Sequence, residues 1–589
     1  MKNFIKIVLA VITGIILSSI IFFFFMILMI GVMISSGSKP VTVSDNSLLV
    51  LKTGVQIPDR GNPNPTFTFD LTNMSITTLT GLNDILSSLR KAADDPKIKG
   101  VIIEPGTMPS GWATASEIRE GLLKFRESGK FVIAYADYIL TQESYYISSA
   151  ADRIYTNPEA TMELQGLSAE VIFFKKALDK LGVDVQVIRH GKFKGAVEPF
   201  MLDRLSPENR EQISSYTGSI WNSVVEGISS GRGLEPAEIN RIADNLLAMD
   251  PAKALELNLI DGLLYKDSLL DTLRSLCGLE PEAKVNTIQM AKYAKVPEPK
   301  TKGKLKDKIA VIYAAGSIVD GKGTDANIGG SSLAETIREA RLDSTIRAIV
   351  LRVNSPGGSA IASELIWREA ALAGEVKPLV VSMGNVAASG GYYISSPATT
   401  IICNPTTITG SIGVFGLIPN AGRLMHEKIG LSSEVVKTNA HADAPSLTRP
   451  LTSFEEQTIL NLIERTYSTF VGHVSEGRSM TREAVDEIGQ GRVWSGAEAL
   501  VNGLADQAGG LTFAIEEAAR LAEIEKYSIM ELPELTDPYT KLLKDITGEA
   551  RIRFIERELV ILSEYIDQLQ ELSQLSGIQA RLPYILNIR

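Results

Sequence analysis

The chain contains itself twice, and this restricts the possible folds more than any other feature. "AYADYILTQESYYISSAADRIYTNPEATMELQGL", Ala134 to Leu167, aligns without a gap on "VSMGNVAASGGYYISSPATTIICNPTTITGSIGV", Val381 to Val414, at a constant offset of 247. Tyr145-Tyr146-Ile147-Ser148-Ser149 falls on Tyr392-Tyr393-Ile394-Ser395-Ser396, and Asn157-Pro158 on Asn404-Pro405. The register continues upstream, where Pro109, Gly111 and Ala115-Ser116-Glu117 match Pro356, Gly358 and Ala362-Ser363-Glu364. A repeat of this length means that one fold must serve both halves.

Each copy alternates strand and helix patterns. In the second, "DKIAVIYAAG", "IRAIVLRVNSPGG" and "KPLVVSMGN" are apolar runs of strand length, separated by "SSLAETIREARLD" and "ASELIWREAALA" with apolar residues at helical spacing. This pattern predicts an α/β fold with a mainly parallel sheet. Lys295 to Lys308, rich in Pro and Lys, reads as the linker between copies at 43–294 and 309–530. Residues 531–589 read as a helical extension that packs on a partner subunit or domain.

The copies have diverged in a complementary way. Ser389-Gly390-Gly391 of the second copy corresponds to Gln142-Glu143-Ser144 of the first, and Ser355-Pro356-Gly357-Gly358 to Met108-Pro109-Ser110-Gly111. Glycines that let a backbone amide approach a developing oxyanion are therefore intact only beside Ser389, and Gly357 and Gly390 are the candidate donors. Downstream, "GVDVQVIRHGKFKGAVEPF" compares with "SSEVVKTNAHADAP", a strand in each copy, with Val187-Ile188 on Val435-Val436 and Lys194 on Ala442. The copy without the serine thus carries a lysine that the other lacks. A composite Ser-Lys site follows, in which a shielded, uncharged Lys194 takes the proton of Ser389. Ser411 is either the group that holds the amine or an ordinary turn serine. His441 is a rival base within the second copy, with Asp443 as its nearest acidic orienter. His190, His426 and His473 are expected to cap helices or face solvent.

From Ile7 to Ile34 the chain runs 28 residues without a charge. At about 1.5 Å per residue that exceeds the roughly 30 Å hydrocarbon layer and the apolar region of a cleavable signal peptide. Residues 1–38 are therefore expected to be an uncleaved anchor, with the lipid bilayer as a partner. Lys2 and Lys6 would hold the short N-terminal tail in the cytoplasm, placing the remainder in a periplasm or its equivalent. A formal charge of -10 with no basic stripe excludes nucleic acid as a partner. Cys277, Cys403 and four scattered histidines form no metal-ligand spacing, so neither metal nor cofactor is expected.

"SMGNVAASGGYYISSPA", "NPTTITGSIGVFG", "GKFKGAVEPF", "VNSPGG" and "GRVWSGAEALVNGLAD" together resemble signal peptide peptidase A in its long, duplicated form. The resemblance implies tandem ClpP/crotonase-like domains, with Ser389 as nucleophile and Lys194 as general base. It implies Gly357 and Gly358 in an oxyanion and substrate-cradling loop. It further implies an inner-membrane serine endopeptidase, assembled as a homotetramer, that cleaves apolar peptides such as remnant signal peptides. Two other readings remain: a crotonase-like acyl-CoA enzyme, and an inactive envelope scaffold.

Overall fold

The computed structural model describes residues 6, 13–22, 24–25, 41–69, 74–107, 110–297, 305–324, 326–535 and 578–582. Apolar runs without alternation suit strands covered on both faces, and that is where they lie. In the first copy, six parallel strands stand in the spatial order Gly262–Leu263, Arg153–Thr156, Phe131–Ala136, Ile98–Glu104, Ser47–Lys52 and Asn286–Gln289. The second copy repeats this order as Gln507–Ala508, Thr400–Cys403, Leu379–Ala388, Ile346–Ser355, Lys308–Ala315 and Ser528–Leu532, again parallel. Ile408–Gly410 and the antiparallel Val493–Ser495 are added beside Leu379–Ala388. Helices cover the faces: Ala360–Gly374 starts at Ser359, whose hydroxyl accepts from Ala362 N, and buries Ala362, Ile366, Ala370 and Ala373 along one stripe.

A third sheet belongs to neither copy alone. Its order is Gly323–Thr324, Asn327–Gly329, Ser317–Val319, Gly357–Ser359, Ile578–Arg581, Phe415–Asn420 and Asp184–Arg189. The cores are shared as well. Ala388, Ile408 and Val493 pack into the first copy's core, and Ile188 into the second's.

Between the copies lies a buried ion cluster. Arg352, 1% exposed, donates to Asp59 and to Glu117 at 2.7 Å each. Asn354 Nδ2 also donates to Asp59, and Leu511 N to Glu117. Burial disfavours the guanidinium charge, but the two carboxylates outweigh it and hold Arg352 above its ordinary range.

Four expectations need correction. Among the described residues, no helix is long and apolar enough to cross a membrane. The Ile7–Ile34 stretch, apart from residues 13–22 and 24–25, lies outside the described residues. The transmembrane anchor, the inner-membrane and periplasmic placement and the lipid bilayer as partner are accordingly set aside. Second, most of the expected helical extension, 536–577 and 583–589, also lies outside the described residues, and its described residues, 531–535 and 578–582, hold the end of strand Ser528–Leu532 and strand Ile578–Arg581 instead of helix. Third, "SSEVVKT" forms no strand. Val436 is 95% exposed there, so among the described residues the β-branched run has little to pack against. Phe415–Asn420 takes the place beside Asp184–Arg189, with Gly416 opposite Ile188. Fourth, Lys308 already opens a strand rather than closing the linker.

Breaking the cluster by Arg352→Met strands two buried carboxylates and should destabilise the chain by about 3–5 kcal/mol. Urea titration would show this as an earlier midpoint. Replacing Arg352, Asp59 and Glu117 together by apolar residues of similar volume should recover most of the loss.

Candidate active site

Strand Leu379–Ala388 passes into helix Gly390–Ser395 through one residue, Ser389, at φ 54 and ψ -111. A side-chain-bearing residue in that region carries about 1–3 kcal/mol of strain. It is held there by Ser389 N donating to Gly410 O at 2.8 Å and by Tyr393 N donating to Ser389 O at 2.8 Å. Both Ser389 and Lys194 are 0% exposed.

Lys194 Nζ lies 2.8 Å from Ser389 Oγ, 3.0 Å from Ser411 Oγ and 3.1 Å from Ser411 O. None of these partners is charged. Burial alone pushes the Lys194 ammonium well below its ordinary range. The Phe415 ring centroid stands 6.0 Å from Nζ and forms part of the dry wall. Ser411 is a second side-chain-bearing residue at positive φ, 52, fixed by its N–H donating to Arg492 O at 2.6 Å.

The lysine sits ahead of the short turn Gly195–Val197 and is braced through its backbone. Phe193 O accepts from Gln212 Nε2 at 2.9 Å, while Gln212 Oε1 accepts from Val493 N at 2.9 Å. Arg189 Nη1 donates to Lys194 O at 3.2 Å. Gly491, at φ 82, passes so close that a Cβ there would stand 2.7 Å from Lys194 Cα. Sequence reasoning did not select Gln212 or Gly491. Gly491 opens the quoted "GRVWSGAEALVNGLAD", but Gln212 is one polar residue on a long helix, with no signal beyond its contacts.

The two candidate oxyanion amides differ. Gly390 N–H is the first of its helix, where no intrahelical acceptor exists. Gly357 N–H, at φ 93, donates to Ser355 Oγ at 3.1 Å. Gly358 passes against Ile318, where a Cβ would stand 2.0 Å from its carbonyl oxygen.

The first copy's equivalent site is filled by its own side chains. Gln142 Oε1 accepts from Gln165 N and Gly166 N at 2.9 Å, and its Nε2 donates to Gly166 O at 3.1 Å. Glu143 Oε1 accepts from Ser110 N at 2.8 Å, so a carboxylate occupies the donor that corresponds to Gly357. Asn385, four residues before Ser389, clamps this loop by donating to Ser110 O at 2.9 Å.

The histidines are engaged elsewhere. His441 pairs with Glu455 at 2.9 Å, and its expected orienter Asp443 binds Arg449 and Lys437 instead. His190 pairs with Glu464 and stacks on Tyr467. His473 is no helix cap, lying against Trp367 and pairing with Glu364. His426 is exposed.

The family model described as Peptidase family S49 matches residues 124–280 and 371–525. Protease 4 of Salmonella typhi is 37% identical over 480 residues, covering 80% of this chain and 76% of that protein. Protease 4 of Haemophilus influenzae is 33% identical over 513 residues, 82% of this chain and 83% of its own length. The Arabidopsis thaliana protein named Serine protease SPPA, chloroplastic, is 34% identical over 505 residues, 84% of this chain and 73% of that protein.

A lysine that is neutral when folded and charged when unfolded makes stability rise with pH from its lowered folded value up to about 10.4. Lys194→Met should therefore raise stability near pH 7 by about 0.5–2 kcal/mol, a common scale for relieving functional strain. Denaturant titrations across pH should show that gain shrinking as pH approaches the ordinary lysine value.

Proposed function

The chain belongs to peptidase family S49 and is a duplicated-domain serine endopeptidase; on that premise we propose that Ser389 is its nucleophile and Lys194 its general base. The observation that carries this assignment is the 2.8 Å contact between Lys194 Nζ and Ser389 Oγ inside a buried site.

A neutral amine has two N–H donors and one lone pair. Ser411 offers two acceptors, its carbonyl and its hydroxyl, at 3.1 and 3.0 Å. With both N–H groups so occupied, the lone pair is left to accept the Ser389 hydroxyl proton. Ser389 Oγ then attacks the scissile carbonyl carbon, and the oxyanion is met by Gly390 N–H, with Gly357 N–H joining once it leaves Ser355 Oγ. Lys194 returns the proton to the departing amine. In the second half it deprotonates the water that hydrolyses the acyl-enzyme. Ser411 acts as a positioning residue by directing the lone pair.

Peptidase assays and fluorophosphonate labelling test the roles. Ser389→Ala and Lys194→Ala should each lower turnover by about 10⁴-fold or more, and Ser389→Ala should abolish labelling. Lys192→Ala, at an exposed neighbour, should leave activity within about twofold, because surface substitutions rarely propagate. A Lys192→Ala variant as inactive as Lys194→Ala would overturn the assignment.

The active form needs the neutral amine, so kcat/KM should rise with pH through an apparent pKa well below about 10.4. A rising limb found only in the ordinary lysine range would count against a buried base.

A further inference from the structure

Lys194 is the middle residue of a three-residue turn. Its backbone stands at φ -73 and ψ 76, and Gly195 N donates to Phe193 O at 2.7 Å, the geometry of an inverse γ-turn. A single hydrogen bond of small net strength closes it. The two peptide groups flanking the Lys194 Cα nevertheless set the direction in which its side chain leaves the chain, and hence where Nζ arrives.

The carbonyls of both flanking groups are held by side chains, and both holds lead to one carboxylate. On the first arm, Phe193 O accepts from Gln212 Nε2 at 2.9 Å, and the same Nε2 donates to Asn209 Oδ1 at 2.6 Å. Asn209 Nδ2 then donates to Glu198 Oε2 at 3.1 Å, where Ser206 N is a second donor. On the second arm, Arg189 Nη1 donates to Lys194 O at 3.2 Å and stands 3.9 Å from Glu198 Oε1. Glu198 and Asn209 are 0% exposed and Gln212 is 1% exposed. Glu198 Oε1 accepts no hydrogen bond among the described residues. A buried carboxylate oxygen in that state is costly, and the cation facing it is Arg189. Packing does not account for the carboxylate, because an apolar side chain of similar volume fills a dry site at lower cost. What such a side chain could not do is accept from Asn209 and attract Arg189 at once.

We propose that Glu198 is the positioning residue of the base: one buried carboxylate that fixes both peptide groups around Lys194, through Asn209 and Gln212 on one side and Arg189 on the other, and so aims the amine at Ser389. The inference rests on the Ser389–Lys194 reading and adds a residue to it. Glu198 acts through the backbone, since the amine itself is bonded to Ser389 and Ser411. Arg189 also stands opposite Phe415 in the strand pairing, so the second arm ties the turn to the ring that walls the amine.

The test uses the full chain with Glu198→Gln and, separately, Arg189→Met. The glutamine oxygen can still accept from Asn209 and Ser206, while its NH2 no longer attracts Arg189. Arg189→Met cuts the same arm from its partly exposed end. A misplacement of about 1 Å at a reacting group costs about 10²-fold, so kcat for a quenched peptide should fall about 10- to 100-fold in each variant, with KM within about twofold. Fluorophosphonate labelling of Ser389 should slow by the same factor and still finish at wild-type stoichiometry. The double variant should lie within about twofold of the slower single, because both changes cut one arm. A kcat within about twofold of wild type in Arg189→Met overturns the proposal. So does a labelled fraction that falls in proportion to kcat, which is loss of folded enzyme. If Glu198→Gln does not fold, Arg189→Met decides alone. Lys194→Ala separates the two ideas. Activity that survives it sinks the dyad, whereas activity lost there and kept by Arg189→Met sinks only the role of Glu198.

Discussion

A fully buried lysine is the constraint on which the rest of this structure depends. An amine out of water favours its neutral form only while no carboxylate stands beside it, and the fold keeps Lys194 among two serines and an aromatic ring. The carboxylates near the seam between copies are instead tied to other partners: Asp59 and Glu117 to Arg352, Glu143 to the first copy's own loop, and Glu455 to Arg449 and His441. These four carboxylates are each neutralised or hydrogen-bonded by groups other than the amine.

Composite sites need the two contributing bodies held to a fraction of an ångström. Here the seam is covalent in effect. A sheet containing strands of both copies, cores that exchange residues, and Gln212 bridging Phe193 to Val493 all fix the lysine segment against the serine segment. Polar groups such as Arg352 contribute direction more than net energy, since a buried ion pair is roughly offset by desolvation. On the proposed assignment, duplication permits this division, because one copy can do without a nucleophile while the other retains it.

The repeat, the mainly parallel sheet and the pairing of Ser389 with Lys194 as candidates were legible because identity at a fixed offset reports on fold, and its breaks report on released constraint. The glycines beside Ser389 were legible for the same reason. Other features depend on partners distant in sequence. Nothing in "SSEVVKT" says that Val436 stands exposed among the described residues, and nothing in "GIQAR" says that it lies between two strands more than 150 residues upstream. The turn of Gly357 N–H onto Ser355 Oγ is a local rotation that no residue pattern encodes. The apolar N-terminal run predicted an anchor by length and composition, whereas among the described residues no helix is long and apolar enough to cross a membrane.

The 195-residue separation between Lys194 and Ser389 has a consequence for how the molecule is made. Domains fold in order as a chain leaves the ribosome, so the amine half emerges and compacts while the hydroxyl half is still being translated. On the proposed assignment, a truncated product ending before Ser389 carries the base without the nucleophile. Under that assignment the chain acquires its hydrolytic chemistry only after the second copy has been made and has docked on the first.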